Sequence, residues 1–165
     1  MLIILKNKDT LKISDYSFKC STGKNGVCVN KLEGDRKTPK GTYSIGDLYY
    51  RADRVKKPTT KLSMKIIKIN SGWCDDPNSK NYNKEIKINN KTNESHEKLY
   101  KKNNSYNYLI EIKYNNKDPK HNKGSAIFIH LTNNYKKTAG CIALQEKDFL
   151  ILAKLINKKT KIKIN

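Results

Sequence analysis

A histidine and a cysteine stand at the ends of two neighbouring apolar runs within residues 124–144. The first run, 125–130, contains β-branched and aromatic side chains and ends on His130, so it is predicted to be a buried strand. A short polar loop then leads to Gly140 and Cys141, and a second apolar run follows at once. The sequence thus predicts an imidazole and a thiol, eleven positions apart, at two adjacent strand ends.

Such a pair can perform acyl transfer with sulfur as the nucleophile. Free thiols are only slightly ionised near neutral pH, and an adjacent imidazole can take the thiol proton. Gly140 lets the backbone approach a substrate closely, and the amides of Gly140 and Cys141 are then placed to stabilise a tetrahedral oxyanion. The alternative is that Cys141 is a small core residue and His130 a strand-end histidine with satisfied hydrogen bonds, because cysteine is among the most buried residue types.

Residues 34–43, GDRKTPKGTY, and further along the chain His130 with residues 138–142, TAGCI, resemble two motifs of the L,D-transpeptidase catalytic domain, also called the YkuD family. Residues 34–43, GDRKTPKGTY, resemble the segment GD-x-x-TP-x-G-x-Y that precedes the core strands of the family. His130 followed by residues 138–142, TAGCI, resembles the family's strand-end His and its Ser/Thr-His-Gly-Cys segment. The resemblance covers about residues 33–156, which is most of the chain.

The resemblance implies a catalytic role for three residues and a substrate class. Cys141 is the implied nucleophile, His130 the implied base, and Gly140 part of the oxyanion site. The implied substrate is a peptidoglycan stem peptide or muropeptide, cleaved at the L,D bond of a tetrapeptide. An amine acceptor would then give a crosslink, as in an L,D-transpeptidase, whereas water would trim the stem, as in an L,D-carboxypeptidase.

Two positions depart from the family pattern. Ala139 replaces a second His two positions before the Cys, and Leu131 replaces the polar residue that often follows the first His. The imidazole must then be oriented by a backbone carbonyl or another side chain. The loop 132–138 is also short and leaves little material to exclude water from an acyl-enzyme. These features favour hydrolysis slightly over crosslinking.

Composition leaves two other functions open. The 165 residues suit a single catalytic domain spanning residues 1–165, and a monomer is expected. Lys and Arg number 35 against 15 Asp and Glu, a net charge of +20 that raises nucleic-acid binding as an alternative. The lysines are spread over the whole length, however, so this alternative is disfavoured. The other alternative is a non-catalytic module that binds cell-wall fragments, if Ala139 marks an inactive site.

Further substrate-binding residues are predicted from rarity and position. Arg36, Arg51 and Arg54 are the only arginines, and a planar guanidinium binds a carboxylate with two parallel hydrogen bonds. We therefore expect Arg51 and Arg54 to bind substrate carboxylates, the alternative being ordinary surface charge. Trp73 is expected to floor the cleft or to cap the core, and His96 to line the cleft or to lie at the surface.

The cysteine pattern and the hydropathy bear on cofactors and compartment. No Cys or His cluster has zinc spacing, so neither a metal nor a cofactor is predicted. Cys20 and Cys28 flank a turn and are expected to face each other across a hairpin, as free thiols in preference to a disulfide. The apolar run near Met1 is too short for a signal peptide, and no segment has the ~20 apolar residues of a membrane span. A cytoplasmic location is expected, or a periplasmic one if a leader was removed.

Many short strands and one clear helix, 146–157, predict a mainly β fold. The resemblance implies the same class, an L,D-transpeptidase-like β-sandwich or open barrel of two mixed sheets. Residues 72–82 are predicted to be a turn-rich loop and residues 87–104 a flexible surface excursion. Residues 161–164 are predicted to form an edge strand protected by lysines.

Overall fold

The computed structural model describes residues 1–165 as fourteen strands and one α-helix. The strands are β1 (Leu2–Lys6), β2 (Thr10–Ile13), β3 (Tyr16–Ser21), β4 (Val27–Cys28), β5 (Thr38–Pro39), β6 (Gly41–Tyr50), β7 (Met64–Ile66), β8 (Ser71–Cys74), β9 (Glu85–Lys87), β10 (His96–Lys98), β11 (Tyr108–Ile112), β12 (Phe128–Leu131), β13 (Ile142–Leu144) and β14 (Lys161–Ile164). Helix α1 spans Glu146–Leu155, and a 3₁₀ turn spans Asn104–Tyr106.

Eight strands close into a barrel in the order β11-β12-β13-β3-β2-β1-β14-β6, because β11 also pairs with β6. Strand β7 extends this sheet beyond β6. The sheet is mixed, since β1 with β14, β12 with β13 and β6 with β7 are parallel pairs. The prediction of a mainly β fold with one helix is confirmed. Of the two predicted forms, a sandwich or an open barrel, the barrel is found, and the two mixed sheets are corrected to one mixed barrel sheet accompanied by two small sheets, β10-β8-β9 and β4-β5.

Strand β14 is an inner strand of the barrel and not the predicted edge strand. It pairs with β1 on one side and with β6 on the other. Ile162 and Ile164 point into the barrel core, whereas Lys161 and Lys163 are exposed on its outer face. The alternation of lysine and isoleucine that predicts a protected edge strand therefore arises because one face of the barrel wall is buried and the other is exposed to solvent.

Helix α1 closes part of the barrel core with one apolar face. Phe149, Leu152 and Ala153 are fully buried in the same cluster as the inward side chains of the strands. Phe149 stacks on Tyr108 of β11 with ring centroids 5.8 Å apart. Burial of each large apolar side chain contributes about 1.5–3 kcal/mol, so this face anchors the helix. No helix in the structure has the length and apolarity needed to cross a membrane.

A second, smaller core covers the outer face of the barrel beside β11 and β12. The sheet β10-β8-β9 packs there, and the cluster contains Trp73, Leu99, Phe128 and Cys141. The predicted loop 72–82 and surface excursion 87–104 are corrected in part, because β8 includes residues 72–74 and β10 spans His96–Lys98, whereas most other residues of the two ranges form turns and irregular segments. All three strands are short, and β9 and β10 also carry polar or charged residues, so their sequences show no strand pattern and their burial comes from neighbouring surfaces.

The segment 34–43 joins β4 to the barrel. Strand β5 pairs in parallel with β4, which places Cys28 beside Pro39. Cys20 instead lies opposite Leu144 of β13. The two cysteines therefore do not face each other as predicted, and all four cysteines are free thiols.

Candidate active site

A cleft of about 680 Å³ opens where the outer barrel wall meets the sheet β10-β8-β9 and the loop between β12 and β13. Strands β12 and β13 pair in parallel, with His130 opposite Ala143. Cys141 lies two residues before Ala143, so its side chain is on the same face of the wall as His130. Both side chains line the cleft, and the structure thus brings the predicted thiol and imidazole together.

The Cys141 thiol is held by two backbone groups at the wall of the cleft. Its Sγ accepts a hydrogen bond from the Phe128 N–H at 3.4 Å and donates to the Ala126 carbonyl at 3.3 Å. Ala126 has φ = +52°, a left-handed conformation that is rare outside glycine and costly to hold. This strained residue turns its carbonyl toward the sulfur, which fixes the orientation of the thiol.

The same surroundings keep the thiol protonated at rest. Burial raises the pKa of Cys141 to about 12, and the negative charge of Glu97 acts in the same direction. The Phe128 amide and the ammonium groups of Lys101 and Lys31 act in the opposite direction without reversing the shift. A thiolate at neutral pH therefore requires a base that takes the proton when the substrate is bound.

The His130 imidazole is neutral and oriented by the backbone. Its Nδ1 lies 2.9 Å from the carbonyl oxygen of Leu131, and a carbonyl can only accept, so Nδ1 carries the proton. Nε2 is then a free acceptor. Burial lowers the pKa of His130, which keeps the ring in its basic form. The imidazole makes no direct hydrogen bond with Cys141, whose proton is directed at Ala126 instead.

Three polar residues missed by the sequence patterns line the cleft beside this pair. One carboxylate oxygen of Glu97 accepts hydrogen bonds from Lys101 Nζ and from the Tyr106 hydroxyl, both at 2.7 Å. The Tyr106 ring packs edge-on against His130 with centroids 5.2 Å apart. Burial, followed by the charges of Cys141 and Glu97, raises the pKa of Tyr106 well above its usual value. No motif marks Glu97, which follows His96 in the supposed surface excursion.

Only one of the two amides predicted to hold an oxyanion is free. The Gly140 N–H donates to Thr138 Oγ1 at 3.1 Å, and the Thr138 hydroxyl donates to the Cys141 carbonyl at 2.6 Å. The Cys141 N–H has no acceptor within the protein. Gly140 has φ = +141°, and a Cβ there would lie 2.8 Å from the Lys37 carbonyl oxygen. Gly140 is therefore required for the loop geometry, whereas the Cys141 amide is the available donor.

The prediction that Arg51 and Arg54 face the substrate is corrected. Arg51 is 2% exposed and its guanidinium holds Asp53 through two hydrogen bonds of 2.7 and 2.6 Å. A third bond, 2.8 Å long, reaches the carbonyl of Lys101. This pairing keeps the pKa of Asp53 well below its usual range. Arg54 is exposed outside the cleft and donates to Asn103. Arg36 is the one arginine that lines the cleft.

Trp73 and His96 do not line the cleft either. Trp73 is buried and packs edge-on against Phe128, with centroids 5.1 Å apart, so it caps the second core. Its Nε1 donates to Asn83 Oδ1, the same oxygen that accepts the Ala126 N–H. His96 pairs with β8, and its Nδ1 lies 2.7 Å from the Glu94 carbonyl. Trp73 therefore supports the segment that holds the thiol.

The cleft is lined by more basic than acidic side chains. The basic ones are Lys31, Arg36, Lys101, Lys136 and Lys137, and the acidic ones are Glu33, Asp75 and Glu97. This excess of positive charge suits a substrate that carries several carboxylates. Across the protein, no group of three or more His, Cys, Asp or Glu side chains is arranged to hold a metal ion.

The fold and the cleft define a barrel protein that presents a cysteine and a histidine on adjacent parallel strands. The family model of the L,D-transpeptidase catalytic domain, YkuD, matches residues 2–164, so the chain belongs to this family. The resemblance carried by the two motifs is confirmed, and it extends over the whole barrel. Membership supports an enzyme of the L,D-transpeptidase family that acts on peptidoglycan. No curated protein and no solved structure matches the chain.

Proposed function

We propose that this protein cleaves the L,D bond of peptidoglycan tetrapeptide stems by acyl transfer to Cys141. The observation that carries this proposal is the presence of Cys141 and His130 on one face of adjacent parallel strands, in one cleft. The positive lining of that cleft supports a stem peptide, which carries several carboxylates. Family membership supports peptidoglycan as the substrate, and the cleft contains the residues that the reaction needs.

The first half-reaction forms a thioester. Cys141 Sγ attacks the carbonyl carbon of the L,D bond, its proton passes to Nε2 of His130, and the carbonyl π electrons move to the oxygen. The free Cys141 N–H donates to that oxygen. The tetrahedral intermediate then collapses: the C–N bond breaks, the leaving amine takes the proton from His130, and the acyl group stays on sulfur.

The second half-reaction releases the acyl group. Water attacks the thioester carbon, His130 takes a proton from the water, and the C–S bond breaks. The sulfur then recovers its proton from His130, leaving a carboxyl group on the peptide. An amine acceptor in place of water would give a crosslink. Ala139, Lys136 and Lys137 are exposed at the loop beside the thiol, so water reaches the thioester easily, which favours hydrolysis.

Substrate binding must first redirect the thiol proton. At rest the S–H group donates to Ala126, whereas the proposed reaction needs it to donate to Nε2 of His130. Catalytic hydrogen bonds are often long or misaligned without substrate and tighten in the complex. A substrate carbonyl in the cleft competes for space beside the sulfur and favours the rotamer in which S–H faces His130.

Mass spectrometry of a stem tetrapeptide incubated with the pure protein tests the proposal. We expect loss of the terminal D-residue and no dimer at high acceptor concentration. The matched control is Cys141→Ala, which removes the nucleophile without adding bulk to the site. Abundant dimer would instead establish a transpeptidase, and an intact tetrapeptide with the wild-type protein would reject both reactions.

A non-catalytic module for cell-wall fragments is the second candidate. The pKa of about 12 for Cys141 and the absence of a hydrogen bond to His130 favour it. Isothermal titration of the tetrapeptide, followed by mass analysis of the same sample, separates the two functions. Saturable binding with no product and no mass increase on the protein would favour the module.

A further inference from the structure

Lys31 is the only lysine of this lysine-rich chain that is buried. Its side chain is 3% exposed, yet it forms part of the wall of the cleft. A buried ammonium group is costly unless it is paired and hydrogen-bonded, so a built environment is expected around it.

Two glycines form that environment. A Cβ at Gly124 would lie 2.7 Å from Cε of Lys31, and a Cβ at Gly140 would lie 3.5 Å from its Nζ. Both glycines have positive φ, +93° and +141°. The Lys31 side chain thus occupies a space that any side chain at position 124 or 140 would narrow or fill. The ammonium group therefore lies beside Gly140, the residue that precedes Cys141.

The hydrogen bonds of this ammonium group leave one donor unused. Nζ donates to Asp35 Oδ1 at 2.7 Å and, weakly, to the Leu32 carbonyl at 3.4 Å. A lysine has three N–H donors, and the third has no acceptor in the protein. Asp35 is itself fixed by the amides of Leu32 and Lys37. The carboxylate therefore holds the ammonium group in place against the wall of the cleft.

We propose that Lys31 is a catalytic residue whose ammonium group donates a hydrogen bond to the substrate carbonyl oxygen as Cys141 attacks. This inference rests on the proposed function and adds a second oxyanion donor to the Cys141 N–H. It takes the place of the Gly140 amide, which Thr138 occupies. In this step the Sγ–C bond forms, the thiol proton goes to His130, and the carbonyl π electrons go to the oxygen. Lys31 keeps its proton throughout and only donates.

The competing explanation is that Lys31 merely neutralises Asp35 within the GDRKTP loop. Lys31→Met removes the charge but keeps the stem, and it also leaves Asp35 as an unpaired, partly buried carboxylate. The double variant Lys31→Met/Asp35→Asn removes both charges, while the side-chain amide oxygen introduced at position 35 can still accept from a backbone N–H. A structural role predicts that the double variant recovers both thermal stability and turnover.

We expect the double variant to recover part of the melting temperature that Lys31→Met loses, because one of the two backbone amides held by Asp35 keeps its acceptor, but not to recover turnover. Removal of one oxyanion donor lowers kcat by roughly 10²–10³-fold, and KM should change little because the bond strengthens in the transition state. Lys12→Met, at an exposed lysine of β2 outside the cleft, is the matched control and should retain wild-type kcat. A stem-peptide aldehyde, which forms a tetrahedral hemithioacetal with Cys141, should bind more weakly to the double variant by a similar factor.

Wild-type kcat in the double variant would overturn the inference while leaving the proposed function intact. A rise in KM at unchanged kcat would also overturn it, because Lys31 would then bind ground state and transition state equally. Absence of tetrapeptide turnover in both the wild-type protein and Lys12→Met would reject the proposed function and the inference together.

Discussion

Cys141 combines a buried, protonated thiol with a position at the wall of an open cleft. Serine can replace it with the same two hydrogen-bond partners, Ala126 and Phe128. We therefore expect Cys141→Ser to keep the melting temperature within a few degrees and to form no acyl-enzyme. Intact-protein mass spectrometry after mixing with tetrapeptide measures the adduct. Wild-type turnover by Cys141→Ser would show that another residue is the nucleophile.

His130 is expected to remain a functional base at a lower pH than an ordinary histidine does. Burial lowers its pKa below the ordinary value of 6.5, so the ring stays neutral until the pH falls below that value. The acid limb of kcat/KM should accordingly lie below pH 6.5. His130→Ala should lower kcat by roughly 10²–10⁴-fold, the usual contribution of a general base.

His96→Ala is the matched control for that variant, because His96 does not line the cleft and its side chain contacts only the Glu94 carbonyl by a hydrogen bond. Its kcat should remain close to wild type. A larger loss of kcat at His96 than at His130, or an acid limb well above pH 6.5, would contradict the assignment of His130 as the base.

Arg51 is expected to support the fold and not the substrate. Its hydrogen bonds tie Asp53 to the carbonyl of Lys101, the residue that pairs with Glu97 at the cleft. Arg51→Lys cannot reproduce this planar fork, and each lost charge-assisted bond costs about 1.5–3 kcal/mol. The melting temperature should fall by at least ~3 °C, since 1 kcal/mol shifts it by about 2–4 °C in a chain of this size.

Arg54→Lys is the control, because Arg54 is exposed and makes a single bond to Asn103. Differential scanning calorimetry should show little change for this variant. Equal melting temperatures for the two Arg→Lys variants would mean that the buried network around Arg51 contributes nothing measurable.

At the scale of elements, Asn83 links the small sheet to the segment that holds the thiol. Its Oδ1 accepts from Trp73 Nε1 and from the Ala126 N–H, and its Nδ2 donates to the carbonyls of Tyr114 and Asn115. Asn83→Ala leaves these four polar groups without this partner, and each such loss costs about 1–3 kcal/mol. We expect a fall of more than ~3 kcal/mol in the free energy of unfolding, measured by denaturant titration.

The control for Asn83 is Asn78→Ala, at an exposed position whose side chain makes no hydrogen bond within the protein. It should leave the unfolding free energy within about 0.5 kcal/mol of wild type. A loss below ~1 kcal/mol for Asn83→Ala would show that these polar groups find other partners.

The elements with strong periodicity were predictable, and those buried only by their neighbours were not. The apolar runs of β12, β13 and the face of α1 are visible in the sequence because their own side chains form the barrel core. Strands β8, β9 and β10 are short, and β9 and β10 carry polar or charged residues that the sequence pattern cannot separate from loop residues. Burial at those strands comes from the outer barrel wall, which a local pattern does not contain.

The site was predictable to the same extent. The motifs place Cys141 and His130, but no spacing indicates that Thr138 occupies the Gly140 amide or that Lys31 reaches the cleft. The rarity of arginine marks residues that need a planar fork, and Arg51 does use one. The rarity of arginine does not indicate whether the carboxylate that Arg51 binds belongs to the substrate or to the protein. Asp53, two residues away, is the partner found.

At the scale of the whole molecule, two buried thiols should make stability fall at alkaline pH. Burial raises the pKa of Cys20 and of Cys141 to about 12, whereas an unfolded cysteine ionises near pH 8.5. Above that pH the unfolded chain releases these protons and the folded chain keeps them, so the free energy of unfolding falls as pH rises toward 12. Each thiol accounts for roughly 2 kcal/mol of loss by about pH 10.

Denaturant titration at about pH 8 and about pH 10 tests this, with Cys20→Ala/Cys141→Ala as the comparison. The double variant should lose less stability between the two pH values than the wild type does, because lysine and tyrosine ionisation affects both proteins alike. An equal loss in the two proteins would mean that the thiols ionise without unfolding.

Pairing between β1 and β14 has a consequence for how this barrel is made. Leu2 lies beside Lys161 and Leu5 beside Ile164, so the earliest and latest strands of the barrel to leave the ribosome are neighbours in the fold. Until residues 161–164 emerge, β1 and β6 each keep an unpaired edge, and the barrel interior lies open to water. The nascent chain therefore remains an open sheet until β14 has been synthesised, and only then can the barrel close. Before that point its unpaired strand edges are exposed to association with other nascent chains on the same polysome.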